Sequence, residues 1–314
     1  MSNAVFPNTF IIGIQKAGTT TLDDWLAQHP QIYCYESLKD VHLFARFKIT
    51  EEIYQRLKKE PAQYKNQPVV LQSAVNYIFY PQMLQKIAEF APQAKLIVIL
   101  RNPVDRAISS YGYFKKMLRE TRPMQQALVY TPVTDTDFEF SKDNSDFTYI
   151  EHGFYANQIK NCLTYFSRQQ LLVLDYDDLA KNASSLLQKL FSFLEIDATF
   201  KPDLTPKNVT GSVKSQLMQE TIIKKQSKFR KWVVDHLIDP IFPVGKRKML
   251  KRKLFELNTG KKKATQPTQE EERKETVQQI KQQLKPLYIE DAKELDALLG
   301  TNFSAKWFGA GKRI

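Results

Sequence analysis

Lys16, the small residues Ala17 and Gly18, and the hydroxyls of Thr19, Thr20 and Thr21 crowd into the stretch IIGIQKAGTTTL at residues 11–22. An apolar run that gives way to these types just before a helical pattern marks a strand turning into a helix. Backbone N–H groups at a helix N-terminus point at an anion, and the helix dipole favours negative charge, so the chemistry suggested is a phosphate cradle. The stretch is not a Walker A loop, in which lysine directly follows the last glycine. Here Thr19 follows Gly18 and the lysine stands inside the loop.

A second set lies in LIVILRNPVDRAISSYGYF at 96–114. A nucleoside triphosphatase ordinarily closes its second buried strand with Asp, which helps to hold Mg²⁺. This run closes with Arg101, followed by Arg106 and, on the next helix, Ser109. Two guanidinium groups and a hydroxyl form a second anion site without provision for a metal. A nucleotide carrying phosphates on both its 5′ and 3′ sides fits two such grips, whereas a triphosphate does not.

The elements that must position these groups are legible as alternating patterns. FIIGI (10–14), VVLQS (69–73), KLIVIL (95–100) and LLVLDY (171–176) read as buried strands. Helical patterns begin at GTTTLDDWLAQH and cover 81–91, 104–118, 155–166 and 184–194. The expected fold class is α/β: a P-loop-like parallel sheet with helices on both faces. QEEERKETVQQIKQQL and then LYIEDAKELDALLG predict amphipathic helices as a C-terminal appendage, and 131–148 predicts a polar surface loop. The expected division is a nucleotide-binding core at 1–206, a basic excursion at 207–268 and C-terminal helices at 269–314.

The chain has 314 residues and a net charge of +12. Between Lys207 and Lys263 stand 16 Lys and Arg against 4 Asp and Glu, so this segment holds the whole excess. Its clusters at 246–248, 251–253 and 261–263 flank an apolar stretch containing Trp232, Val233, Leu237, Ile238, Ile241 and Phe242. A solvated helical excursion is one reading. Contact with an anionic membrane or a polyanionic acceptor is the other, favoured over nucleic acid because apolar residues beside cations suit an interface of headgroups and acyl chains. Two cysteines, Cys34 and Cys162, make no disulfide framework and are expected as buried thiols, and four histidines suggest no metal-ligand cluster. The absence of a long apolar span or signal-like N-terminus predicts a cytoplasmic protein, peripheral at most to a membrane.

GIQKAGTTTL and LRNPVDRAISSY together resemble the nucleotide-binding motifs of the sulfotransferases that use 3′-phosphoadenosine 5′-phosphosulfate (PAPS). The resemblance extends to HGFYANQIKNCLTYF, LLVLDYDDL and LYIEDAKELDALLG, and is nearest to the branch of the Golgi heparan-sulfate enzymes and bacterial relatives. It implies sulfuryl transfer without a metal. Lys16 would bridge the 5′-phosphate and the moving group, with Ala17, Gly18, Thr19, Thr20 and Thr21 around the phosphate, and Arg101 and Ser109 on the 3′-phosphate. KNVTGSVKS at 207–215 is similar to the loop that covers the nucleotide in bacterial relatives, which brings in Lys207 and Gly211.

The same resemblance sets the general base in LKDVHLF, where Asp40 stands in place of the usual Glu and His42 is the alternative. Loss of one methylene shortens the reach by roughly 1.5 Å, which matters when a base must come within ~3 Å of its proton. Gln72 and Ser73 replace a Glu-Lys pair common in relatives, removing a cation, so the acceptor class is not copied from the glycosaminoglycan enzymes; the expected acceptor is a hydroxyl or amine on a carbohydrate-like or lipid molecule. Two other classes stay open: a P-loop nucleotide kinase or phosphotransferase, and a PAPS-binding protein without turnover.

Overall fold

The computed structural model describes residues 5–35, 43–44, 57, 64–130, 147–205, 212–213, 259–260 and 267–309. The chain divides into two compact units, one of residues 1–110, 129–207 and 281–314, the other of 111–128 and 208–280.

The first unit is built on β1 (Thr9–Gly13), which leads through α1 (Thr19–Leu26) to β2 (Ile32–Cys34) and then β3 (Val69–Ser73). From there α2 (Pro81–Phe90) leads to β4 (Lys95–Leu100) and α3 (Pro103–Lys116). After α4 (Met124–Ala127) in the other unit, α5 (Tyr155–Tyr165) leads to β5 (Leu171–Asp175), with α6 (Tyr176–Lys181) and α7 (Ala183–Leu194) behind it. The strands form one parallel sheet in the order β2-β3-β1-β4-β5. β1, β3, β4 and β5 are built on consecutive apolar residues rather than an apolar–polar alternation because the sheet is buried on both faces, with polar residues confined to the strand ends.

This order fixes where a ligand belongs. From β1 the chain crosses to the β3 side, and from β3 it crosses back over β1 to β4. Right-handed crossovers in opposite directions put α1 on one face and α2 with α5 on the other, so the helices separate at the C-terminal ends of β1 and β4. α2 packs on α5, as that placement requires. The three-residue β2 was not legible in the sequence. Of the two cysteines expected to be buried, Cys162 is, and its burial pushes the thiol up to about 12, whereas Cys34 at the end of β2 is only half-buried.

In the other unit, β6 (Ser212–Val213) pairs antiparallel with β7 (Thr259–Gly260). There the buried Glu120 carboxylate takes two bonds from the Arg122 guanidinium, at 3.0 and 2.7 Å, while Tyr111 donates to the Arg122 carbonyl at 3.1 Å.

The C-terminal helices expected as two are one, α8 (Pro267–Leu299), which runs through Pro286 and is followed by α9 (Phe303–Phe308). Proline removes one N–H donor and leaves the carbonyl of Gln282 without its helical partner. Both Pro286 and Gln282 are exposed, so the interruption falls on the outer side of the helix, where solvent can satisfy a freed carbonyl. Ile280, Leu284, Tyr288, Ala292 and Leu295, at helical spacing on one buried stripe, carry the helix past it.

α8 also supplies caps that other helices lack. The carboxylate of Asp291 accepts from Tyr155 N at 2.8 Å and Ala156 N at 3.2 Å, at the start of α5. Asp296 accepts from Phe303 N at 2.6 Å and Ser304 N at 2.9 Å, at the start of α9. Burial holds the Asp291 carboxyl up at about 6, against the lowering effect of those two N–H donors. A carboxyl that binds its proton more tightly when folded contributes stability below its unfolded value, about 3.9, and loses it as pH rises through the folded value. Asp291→Asn, which has no such titration, should therefore gain on the natural chain as pH rises from 4 to 7, read as converging urea midpoints. A constant gap would show that Asp291 titrates alike in both states.

Candidate active site

The first anion grip is the turn between β1 and α1. Gly13 ends β1 where a Cβ would lie 2.6 Å from Ile78 Cγ2, so the strand end fits closely against the turn after β3. The Ala17 N–H closes the loop on the Ile14 carbonyl at 3.2 Å. Lys16 (φ 69°) and Gly18 (φ 85°) are both left-handed. At Gly18 a Cβ would also stand 3.2–3.3 Å from Leu179 and the Tyr176 ring of α6, so glycine meets both a conformational and a packing demand. Gly18 caps α1 without a side-chain hydrogen bond, and the first turn carries no acid. Its N–H groups and positive dipole end are thus set for an anion. Thr19 is buried, Thr21 half-buried and Thr20 exposed.

The second grip is fastened to the first. Arg101, just past β4, donates from Nη1 to the Lys16 carbonyl at 2.9 Å, and its guanidinium lies over the Tyr176 ring at 4.5 Å. Two residues past β1, Gln15 accepts from Ser110 Oγ at 2.9 Å, tying the loop to α3. Asn102 caps α3 by accepting from Val104 N at 3.0 Å, which aligns the helix that carries the half-buried Ser109.

Arg106 does not belong to this grip. It is 0% exposed and donates from Nη2 to the Tyr149 carbonyl, in the interior shared by Tyr155 and Tyr288, and burial lowers its pKa. An arginine four positions into a helix faces the core here, and only its neighbours in space reveal that.

On the β3 side, Ser73 donates to the buried Asp23 of α1. Gln72 is buried beside it and hydrogen-bonds the Tyr77 hydroxyl, which also accepts from Leu43 N at 2.9 Å. The end of β3 therefore offers a neutral amide and a hydroxyl committed to a carboxylate.

The structure thus brings Lys16, Ala17, Gly18, Thr19, Thr20, Thr21, Arg101 and Ser109 to the C-terminal edge of the sheet. Asp40, His42, Lys207 and Gly211, and the basic clusters at 246–263, lie outside the described residues. Gln15, Ser110, Tyr176 and Tyr155 were missed. Tyr176 follows directly on β5, and the rule that ligand-site groups follow strand C-termini could have found it. Among the described residues no group of three or more His, Cys, Asp or Glu side chains is arranged to hold a metal, and no helix is long and apolar enough to cross a membrane.

A family model described as Sulfotransferase domain matches residues 6–246. The bifunctional heparan sulfate N-deacetylase/N-sulfotransferase 1 of Caenorhabditis briggsae is 26% identical over 202 residues, 62% of this chain and 23% of that protein. Carbohydrate sulfotransferase 15 of Mus musculus is 25% identical over 246 residues, 60% of this chain and 44% of that protein. The chain therefore spans less than half the length of either. A sulfotransferase crystal structure from Alicyclobacillus acidocaldarius superposes with a TM-score of 0.54 at 28% identity, covering 76% of this chain and 96% of that one.

The contrast between two glycines tests the loop. Gly18→Ala should lose roughly 1–2 kcal/mol of stability from the left-handed backbone alone, and with it the affinity for 3′-phosphoadenosine 5′-phosphate. Gly112, exposed within α3 with open space at its Cβ position, should gain about 0.5–1 kcal/mol as alanine. Urea unfolding and calorimetry separate the two, and equal behaviour would contradict the loop geometry.

Proposed function

The chain belongs to the sulfotransferase family, and we propose that it moves a sulfuryl group from PAPS to a hydroxyl or amine of a carbohydrate-like or lipid acceptor. The observation that carries this reading is the hydrogen bond from Arg101 to the Lys16 carbonyl, which makes one site of two anion grips. A nucleotide with a 5′-phosphosulfate on the α1 N-terminus and a 3′-phosphate on Arg101 and Ser109 uses both. Lys207 and Gly211 belong to the loop that would cover it.

In the transfer, the acceptor oxygen or nitrogen bonds to sulfur on the side opposite the departing phosphate oxygen. The sulfur–oxygen bond to the phosphate breaks, and its electron pair stays on that oxygen. The Lys16 ammonium and the N–H groups from Gly18 to Thr21 stabilise this developing charge, which is larger in the transition state than before it. The acceptor's proton goes to Asp40 or His42. No step requires a divalent cation.

Membership and the two grips favour this over a nucleotide kinase, which would depend on Mg²⁺-ATP. The basic segment at 232–263 is read as a peripheral contact with anionic membrane, in keeping with a cytoplasmic location. The wild-type protein should then co-sediment with acidic vesicles at low salt and be released as salt rises; a protein that stays in the supernatant removes that reading.

The donor reading makes two further demands. Affinity for 3′-phosphoadenosine 5′-phosphate should exceed that for ADP, because an empty charge-assisted site forfeits about 1.5–3 kcal/mol per bond; equal affinities by calorimetry would refute it. Lys16→Ala should lower turnover about a hundredfold or more with the fold intact. Asp40→Asn should abolish turnover while His42→Ala leaves a remainder, and the reverse order would assign the base to His42.

A further inference from the structure

Arg101 must present its guanidinium to a phosphate from the end of a strand, where the sheet no longer holds the backbone. The β4–β5 ladder finishes at the pair Leu100 and Asp175, so the Arg101 carbonyl lies one residue beyond it. The hydroxyl of Tyr155 meets that carbonyl at 2.8 Å. Tyr155 is 0% exposed, the first residue of α5, and its ring packs edge-on against Trp307 of α9 at 5.8 Å. Its own backbone N–H is held by the Asp291 carboxylate. The next residue, Asn102, donates to the Trp307 carbonyl at 3.4 Å.

We infer that Tyr155 is a positioning residue for the donor nucleotide: through the Arg101 carbonyl it sets the guanidinium that recognises the 3′-phosphate. The inference rests on the reading of Arg101 as the 3′-phosphate ligand. The chain of contacts runs from Asp291 to Tyr155, then to the Arg101 backbone, and from the Arg101 side chain to Lys16. The guanidinium is confined by the Tyr176 ring on one side and the Lys16 carbonyl on another. One of its five N–H donors is thereby used, and recognition depends on where the others point. A planar fork tolerates little displacement, since charge-assisted bonds from a guanidinium to a phosphate depend on the alignment of its N–H groups. Tyr155 touches no reacting atom, so its loss should alter selectivity rather than the chemical step.

The test compares the full chain with Tyr155→Phe, which removes one oxygen and keeps the ring. Affinities are measured for 3′-phosphoadenosine 5′-phosphate and for adenosine 5′-phosphate, which differ only in the 3′-phosphate. The variant should bind the first at least about tenfold more weakly and the second within about twofold of wild type. KM for PAPS should rise while kcat at saturation stays close to wild type. Tyr288→Phe is the control, because Tyr288 is as deeply buried and donates to the Ile150 carbonyl at 2.9 Å instead. It should leave the ratio of affinities unchanged. If Tyr155→Phe does not fold, Asp291→Asn, acting one contact further back, should lower the same ratio in the same direction. A ratio unchanged in the variant, or lowered equally by Tyr288→Phe, overturns the positioning role. A wild-type chain that binds the two nucleotides alike instead overturns the reading of Arg101 beneath it.

Discussion

One hydrogen bond, from the Arg101 guanidinium to the Lys16 carbonyl, joins groups 85 residues apart in sequence and fastens the second grip directly to the first. The elements around it make that contact possible. The parallel sheet sets β4 directly beside β1, with Val98 opposite Gly13, so the turns after the two strands leave at the same edge. The left-handed backbone at Lys16 and Gly18 rolls the loop so that a carbonyl faces Arg101 while the α1 N–H groups face outward. α6 lies against Gly18, and its Tyr176 ring meets the guanidinium. A charged side chain that bonds a backbone carbonyl and stacks on a ring loses rotamer freedom before a ligand arrives, which lowers the entropy that binding must overcome.

The fold was legible wherever burial was two-sided. β1, β3, β4 and β5 each carry an apolar run of three to five residues, as strands covered on both faces require. β2 is three residues, IYC, too short to build a pattern. The two amphipathic patterns near the C-terminus lie on one helix through Pro286, because the loss of one N–H is outweighed by buried side chains on either side of it.

The site was legible to the extent that its parts are local. The anion loop is a contiguous stretch, and the end of β4 is marked by its arginine. Arg101 and Arg106 look equivalent as residue types, yet one lies at the edge and the other in the interior against the Tyr149 carbonyl. Tyr155 bonds a residue 54 positions away, and nothing in HGFYANQ reveals which carbonyl its hydroxyl will meet. On the β3 flank, Gln72 and Ser73 are legible as residue types, but that Ser73 is bonded to Asp23, 50 positions earlier, is visible only in the fold.

The claim on which the rest depends is that one nucleotide joins both grips. A crystal structure of the chain with 3′-phosphoadenosine 5′-phosphate tests it most directly. The account predicts the 5′-phosphate at the backbone N–H groups of Gly18 to Thr21 and the 3′-phosphate within hydrogen-bond distance of Arg101 and Ser109, with the Arg101 to Lys16 contact intact. A nucleotide that leaves Arg101 and Ser109 untouched, or lies away from the ends of β1 and β4, would contradict it.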